Sequence, residues 1–169
     1  MNVKEAIFLR RSIRKYQNKE VNQDQIQLLL ESAMAAPSAL NKTPWEFYVV
    51  NNKEKQEKIK NSYPNFNFNS PLLIVVWANL DYTFTKEIND FWIQDCSAAI
   101  ENMLLEAVEL GLGTCWCGVY PRMDRVNTIK NILKLGDNII PLGLIHVGYP
   151  AETKEPRTQF DSQKCHYID

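Results

Sequence analysis

The first third of the chain has the hydrophobic spacing of an amphipathic helix followed by a break. Apolar residues recur from Ile26 to Met34 at intervals of three and four, which places them on one helical face. Asn22 and Gln25 precede them with the spacing of a capping box. We expect the helix to end just before Pro37, because proline disfavours the helical conformation in the residue that precedes it.

Two segments with the residue types of strands follow, and a charged helix is expected between them. Residues 45–50 are aromatic and β-branched over the length of a strand. Residues 51–60 form a charged run that is typical of an exposed helix with lysines facing water. Residues 72–78 are continuously apolar, which is typical of a strand that is covered on both faces.

The second half of the chain also alternates between segments with helical spacing and short segments of strand length. Residues 95–110 carry apolar side chains on more than one helical stripe, so we expect this helix to be buried nearly all round, with a subunit interface as a natural place for it. Gly111 is its expected stop, and Gly136 that of a second amphipathic helix at residues 124–135. Apolar segments of strand length lie at residues 114–119, where a loop is the alternative, and at 141–150.

Length and charge restrict the classes of protein that this pattern can represent. The chain has 169 residues, of which 45% are hydrophobic, and this predicts one folded domain spanning residues 1–169. Its 19 Lys and Arg against 20 Asp and Glu give a formal net charge of −1, which argues against a nucleic acid or an anionic membrane as the main partner. The alternation of helices and short strands favours an α+β or α/β class with one mixed sheet.

The N-terminal segment and the cysteines favour a reducing, cytoplasmic location. Lys4, Glu5 and Arg10 interrupt the apolar runs of the first residues, so no secretory hydrophobic segment is expected. The longest apolar stretch, residues 72–78, falls far below the roughly 20 residues that cross a bilayer as a helix. Four cysteines in a chain of this length do not indicate a disulfide scaffold.

A basic run near the N-terminus is the first candidate for chemistry. Residues 10–15 contain four cations and the hydroxyl of Ser12. Arginine binds phosphate through two parallel hydrogen bonds, and alternate residues of an extended segment point to one side, so this run could hold an oxyanion. The alternative is a solvated run of cations that complements the dipole of the preceding short helix.

The loop at residues 37–41 is the second candidate. It supplies the hydroxyl of Ser38 and the amide of Asn41 at the end of a helix, where a turn can contact a ligand. The same residue types favour turns for local hydrogen-bonding reasons alone. Both interpretations stay open on these residues.

The glycine-rich segment at residues 111–118 does not have the dinucleotide-binding pattern. Trp116 stands where that pattern needs its third glycine, and the segment follows a helix instead of a strand. Gly118 could instead let the backbone approach a flat ligand closely, with its own N–H and that of Cys117 as donors.

The cysteines and histidines predict neither a metal site nor a nucleophile. Cys115 and Cys117 have no second cysteine pair, and four zinc ligands at workable spacings cannot be named. A nucleophilic cysteine needs a basic partner, whereas His146 lies in an apolar strand pattern that favours a core histidine.

Four segments share an order along the chain: RRSIRKY, PSALNKTPWEFYVV, GLGTCWCG after the buried helix, and PLGLIHVGYPAE. Together they resemble the nitroreductase family of FMN-dependent oxidoreductases, over most of the chain. The resemblance implies an α+β fold with a mixed central β-sheet flanked by helices. It also implies an intertwined homodimer with FMN at the subunit interface.

The same resemblance implies which residues hold the cofactor. The residues implied at the FMN phosphate, the ribityl chain or the pyrimidine edge are Arg10, Arg11, Ser12 and Arg14. Those implied from the partner subunit are Pro37, Ser38, Ala39 and Asn41, and the backbone amides of Cys117 and Gly118 would face the flavin N5 and O4. Arg157 is the best match to the cation that the family places after the GYP segment. Gln159 stands where a second cation is often found, and Lys154 is a weaker substitute.

The implied reaction is a ping-pong hydride transfer through the flavin. NAD(P)H would reduce N5 and leave, and an electron-poor acceptor such as a nitroaromatic or a quinone would follow. Because the cofactor carries the difficult step, no side chain is expected as a catalytic acid, base or nucleophile. A donor near N1 and O2, Arg10 or Arg14, would stabilise the negative charge of the reduced ring.

Alternatives remain at this point. The chain could be a flavin-binding carrier or sensor without NAD(P)H turnover, or a related flavoenzyme for reductive dehalogenation or enoate reduction. The chain is short for the family, so we expect an open pocket, or one with a lid at residues 84–92, and a permissive choice of acceptor. The asparagine-rich stretch at residues 61–69 either contacts the cofactor or is only a loop.

Overall fold

The computed structural model describes residues 1–83 and 90–168, which form an α+β fold. The helices are α1 (Val3–Leu9), α2 (Gln23–Met34), α3 (Lys53–Asn61), α4 (Phe91–Glu109) and α5 (Met123–Leu133). The strands are β1 (Trp45–Val50), β2 (Leu72–Asn79), β3 (Gly113–Gly118) and β4 (Ile139–Gly148). None of the helices in this described part combines the length and the apolar character needed to cross a bilayer. The lid expected at residues 84–92 lies largely outside the described residues.

One sheet with the strand order β1-β2-β4-β3 organises this fold. All of its strand pairs are antiparallel, and a bridge between Ser12 and Thr114 is parallel. Among the described residues, the expected mixed sheet is therefore antiparallel through its four strands and parallel where the N-terminal segment joins β3. Residues 72–78 of β2 are all buried, which confirms a strand covered on both faces.

The two faces of the sheet carry separate hydrophobic clusters because successive strand residues point to opposite sides. Ile74 and Val76 pack in one cluster with α2 and α4. Leu73 and Val75 pack in the other with α3 and α5. The short helix α1 contacts α4 on the first of these faces.

Helix α4 packs one side of its surface into the core of its own chain. Cys96, Ala99, Ile100 and Met103 have no exposed surface in the cluster shared with α2 and the sheet. The helix begins at Phe91, earlier than its hydrophobic pattern predicts. The other side is less covered, since Phe91 is 40% exposed and Leu105 lines a surface groove beside α1, so the subunit interface that we expected for this helix stays a prediction.

The signals at the helix ends are confirmed with one exception. The side chain of Asn22 caps α2 and forms the predicted capping box with Gln25, and Gly111 has a left-handed φ of 69° just after α4. Helix α5, in contrast, ends before Lys134, which itself has a left-handed φ of 58°. Gly136 is therefore not the stop of this helix.

Lys60 is an exception among the lysines of α3. It is buried, and its Nζ donates a hydrogen bond of 3.0 Å to the carbonyl of Ser70. The expectation that the lysines of this helix face water is wrong for this residue, because α3 turns it towards the loop that precedes β2. The charge of Lys60 is partly balanced by Glu57, whose Oε1 lies 3.6 Å from Nζ.

His146 in β4 is fully buried, as its apolar surroundings predict. Its Nδ1 lies 2.8 Å from Oγ of Ser70, and the ring of Phe68 meets it edge-on with the centroids 5.0 Å apart. Burial, followed by the nearby charge of Lys60, lowers the pKa of His146 to about 3. The folded protein therefore holds this histidine in its neutral form.

We expect the buried histidine to weaken the protein in mild acid. Between about pH 6.5 and pH 3 the unfolded chain binds a proton that folded His146 excludes, so the free energy of unfolding falls as the pH falls. The loss from this residue amounts to about 2 kcal/mol at pH 5. Urea unfolding of the H146Q variant at pH 7 and pH 5 should show a smaller loss than the unsubstituted protein. The variant H166Q, which replaces an exposed histidine, is the matched control, and equal losses in all three proteins would contradict the prediction.

Candidate functional site

The basic segment at residues 10–15 lies along the open edge of β3. The amide of Arg10 donates to the carbonyl of Ala6 at the end of α1, and the amide of Ile13 donates to the carbonyl of Thr114 at 2.8 Å. The buried side chain of Ile13 lies so close to Gly113 that a Cβ at this glycine would be 2.9 Å away. This contact fixes the segment against the strand. Because residues alternate along an extended segment, the neighbours of Ile13 point away from the core.

A cavity of about 160 Å³ opens beside this segment, and its lining is almost entirely cationic. The residues that line it are Arg10, Arg11, Ser12, Arg14, Lys154 and Arg157. The structure thus brings four predicted residues of the basic run together with Arg157, the cation predicted after the GYP segment. Lys154 joins them, although the sequence favours it less, and Gln159 is not among the lining residues.

The C-terminal segment reaches this cavity through backbone contacts with the first residues of the chain. The amide of Arg157 donates to the carbonyl of Phe8 at 3.0 Å. The guanidinium of Arg11 donates to the carbonyl of Glu155, and Nζ of Lys154 donates to the carbonyl of Ser12. These contacts link residues that are more than 140 positions apart in the sequence.

Two carboxylates next to the cavity orient its cations without neutralising all of them. Oε1 of Glu101 lies 3.0 Å from Nε of Arg10. Glu152 accepts a hydrogen bond of 2.6 Å from the backbone N–H of Arg14 and lies 3.4 Å from Nζ of Lys154. The hydrogen bond from Arg14 is the main cause of the lowered pKa of Glu152. Since neither carboxylate lines the cavity, an excess of positive charge faces it.

The loop at residues 37–41 does not line this cavity in its own chain. Its backbone is unusual, because Leu40, Asn41 and Thr43 all have positive φ values of 48°, 55° and 45°. Such values are rare for residues other than glycine and occur where surrounding contacts hold them. The hydroxyl of Ser38 accepts a hydrogen bond of 2.9 Å from the N–H of Thr43 and closes the loop.

Asp95 anchors the same loop to helix α4. Its Oδ1 accepts a hydrogen bond of 2.9 Å from the backbone N–H of Ala39. Burial raises the pKa of this carboxyl group, and the hydrogen bond from Ala39 opposes the shift. Nothing in the sequence marks Asp95 as a contact of this loop, since the two are more than 50 residues apart.

The amides at the end of β3 point in different directions. In an antiparallel ladder, alternate residues direct their N–H and C=O groups to the same side. The carbonyl of Thr114 accepts from Ile13 at the open edge. The N–H of Val119 points the other way and donates to the carbonyl of Leu142 at the end of β4. The N–H of Gly118 is therefore directed to the open edge and that of Cys117 towards β4. Of the two amides predicted as donors, that of Gly118 has the orientation that a ligand at this edge requires.

The thiols of Cys115 and Cys117 lie inside the sheet core, where both residues are buried. A hydrogen bond with Cys117 is the main cause that lowers the pKa of Cys115. Burial opposes this shift, and the charges of Arg14 and Lys154 support it. In the described part of the chain no group of three His, Cys, Asp or Glu residues could hold a metal ion.

Comparisons with known proteins show similarity of this chain to nitroreductases in both sequence and structure. The model of the nitroreductase family matches residues 7–68 and 60–149. A protein of Methanothermobacter thermautotrophicus, whose name describes an NADH dehydrogenase/NAD(P)H nitroreductase, is 44% identical over 98% of this chain and 86% of its own length. An FMN-dependent nitroreductase from Clostridium difficile R20291 is 35% identical, with a TM-score of 0.86 over 97% of this chain and 98% of its own. A nitroreductase from Desulfovibrio desulfuricans, solved in complex with FMN, is 26% identical, with a TM-score of 0.83 over 99% of this chain and 96% of its own.

We expect Asp95 to hold the loop in its unusual conformation. The variant D95A leaves the N–H of Ala39 without its acceptor, which should lower the free energy of unfolding by about 1–3 kcal/mol. It should also speed up cleavage by trypsin after Lys42, an exposed residue of the same loop. The variant D95N keeps an amide oxygen at the same place and should lie closer to the unsubstituted protein in both measurements. Equal effects of the two substitutions would contradict this role.

Proposed function

This chain belongs to the nitroreductase family, and we propose that it is an FMN-dependent oxidoreductase. In this proposal it transfers hydride from NAD(P)H through flavin N5 to nitroaromatic, quinone or similar electron-poor acceptors. The observation that carries the proposal is the cationic cavity at the edge of β3, which collects Lys154 and Arg157 around the basic segment.

The donor set of the cavity fits the phosphate of FMN. Five of its six lining residues are cations and the sixth, Ser12, supplies a hydroxyl. Arginine side chains bind phosphate oxygens through paired hydrogen bonds, and lysine adds a point charge. In the proposed arrangement Arg11, Lys154 and Arg157 hold the phosphate, while Arg10 and Arg14 reach the ribityl chain or the pyrimidine edge. Lys154 supplies the second cation that Gln159 cannot.

The protein has a supporting role in the proposed chemistry. FMN, when bound, supplies a ring that accepts a hydride from NAD(P)H and passes it to a second substrate in a ping-pong cycle. The N–H of Gly118 would donate towards N5 and O4 from the open edge of β3. The guanidinium of Arg14 or Arg10 favours negative charge at N1 and O2 because a fixed cation in a partly desolvated site needs no reorganisation.

A homodimer with FMN at the subunit interface is part of the proposal. The loop at residues 37–41, whose residues would meet the flavin from the partner subunit, is held away from its own chain's cavity. Apolar side chains on α1 are also exposed, with Val3 at 73% and Ile7 at 50%. A second apolar group, Tyr167 and Ile168 of the C-terminal segment, is almost fully exposed. Exposed apolar side chains one helical turn apart, as Val3 and Ile7 are, favour a protein interface.

The cavity predicts a specific loss of flavin. The double variant R10A/R14A removes two of its cations and should abolish retention of FMN while the circular dichroism spectrum stays that of a folded chain. The matched control is K15A, which removes an exposed cation of the same run that does not line the cavity. The measurement is the visible absorption of the purified protein. Unchanged retention in the double variant would contradict the proposed phosphate and ring contacts.

Anaerobic titration of the flavin-loaded protein with NADH and NADPH tests turnover. We expect either nucleotide to bleach the flavin absorption and an added quinone or nitroaromatic to restore it. A bound flavin that neither nucleotide bleaches would favour a carrier or sensor. Bleaching without reoxidation by these acceptors would favour dehalogenation or enoate reduction.

The exposed face of α1 predicts the behaviour of the dimer. The substitution I7E places a charge on this face and should shift the protein to a monomer in light scattering, with loss of bound FMN. The variant K4E introduces the same carboxylate at an exposed polar position of α1 and should remain a dimer. A monomeric unsubstituted protein that retains FMN would contradict the shared site.

A further inference from the structure

We infer that Arg125 is a positioning residue, which fixes the end of β3 at the proposed flavin site and would thereby tune flavin affinity and potential. This inference rests on the proposed function, because it concerns the Gly118 amide that is proposed to face N5 and O4. Arg125 lies outside the cationic cavity.

The contact between Arg125 and Gly118 joins helix α5 to the last residue of β3. Nη1 of Arg125 donates a hydrogen bond of 2.8 Å to the carbonyl oxygen of Gly118. On the other side of this peptide, the N–H of Val119 donates to the carbonyl of Leu142 at 2.9 Å. The peptide that follows Gly118 is therefore held at both its oxygen and its nitrogen.

Gly118 benefits from such a contact because it has no side chain that packs against its surroundings. It is exposed, and a Cβ built on it would have no atom within 4 Å. A glycine also lacks the side-chain clashes that restrict φ and ψ in other residues. Without the guanidinium, only the pairing of β3 with β4 would determine the direction of the Gly118 carbonyl. The backbone conformation of Gly118 would then be less restrained.

The guanidinium of Arg125 itself packs against two aromatic rings. Its central carbon lies 4.9 Å from the ring centroid of Phe66 and 5.6 Å from that of Tyr63. The hydroxyl of Tyr63 also donates a hydrogen bond of 2.7 Å to the backbone carbonyl of Arg125. Burial raises the pKa of Tyr63 to about 12, so this hydroxyl stays protonated and remains a donor at neutral pH. The stretch at residues 61–69 thus has a defined role in holding Arg125.

The positive charge of Arg125 next to Gly118 would affect the redox potential of a flavin bound there. The reduced flavin carries more negative charge than the oxidised one, and a preorganised cation near the ring favours the reduced form. Arg122 differs from Arg125 because a neighbouring carboxylate neutralises its charge. Its Nε and Nη2 both lie 3.0 Å from the carboxylate oxygens of Asp124, so its charge is paired and it is exposed to solvent.

The test compares Arg125→Met and Arg125→Lys with the matched control Arg122→Met. In the FMN-loaded protein, Arg125→Met should weaken FMN binding about tenfold, as the loss of a charge-assisted hydrogen bond implies. We also expect Arg125→Met to weaken the binding of reduced FMN about ten times more than that of oxidised FMN. This difference corresponds to a fall of about 30 mV in the two-electron midpoint potential of the bound flavin. Arg125→Lys keeps the charge without the planar fork, so it should retain the potential better than the affinity. Arg122→Met should change neither quantity.

The outcomes separate this inference from the proposed function. If the unsubstituted protein binds no FMN, the proposed function fails and this inference fails with it. If it binds FMN but both Arg125 variants match Arg122→Met in affinity and potential, the inference alone is overturned. Should Arg125→Met fail to fold by circular dichroism, Arg125→Lys decides in its place, and an unchanged dissociation constant in that variant overturns the inference.

Discussion

The candidate site depends on the hydrogen-bonding pattern at the open edge of β3. Thr114 directs its carbonyl outward, where the N–H of Ile13 meets it, and this contact determines the direction of every other backbone group along the strand. It aligns the basic segment with the strand and leaves the N–H of Gly118 at the edge. A shift of one residue in the pairing of β3 with β4 would turn these groups inward and leave the open edge without the carbonyl of Thr114 and the N–H of Gly118.

The cations around the cavity repel one another, and a bound anion would lower the free-energy cost of this repulsion. Five cations of like charge line a small space, and the nearest carboxylates, Glu101 and Glu152, stand outside it. Repulsion between cations at such distances costs free energy unless counterions or a ligand compensate it. Glu152 lowers this cost by holding Lys154 while it accepts from the backbone of Arg14. The arrangement is therefore suited to a phosphate that carries two negative charges.

The other parts of the site are held by single polar contacts between distant segments. Asp95 fixes the strained loop at residues 37–43, and Arg125 fixes the peptide after Gly118. Both are on helices that pack on the sheet, α4 on one face and α5 on the other. The hydrophobic clusters thus determine where these two side chains act, and the polar contacts determine the orientation of the loop and of the strand end.

The sequence by itself determined the features that depend on near neighbours along the chain. Its residue types and their spacing predicted β1 to the residue, the capping box of α2 and Gly111 as the stop of α4. The resemblance carried by its motifs named most of the residues that meet at the cavity. These features follow from hydrogen bonds and side-chain spacing within a few residues, so they can be recognised without the fold.

Only the tertiary structure decided what each of these segments meets. It buried Lys60 against the carbonyl of Ser70, packed one side of α4 against α2 and the sheet, and brought Lys154 to the cavity. It also separated the outward amide of Gly118 from the inward one of Cys117. The reason is physical: such outcomes depend on the register of strands and on contacts between residues far apart in sequence, which no local pattern encodes.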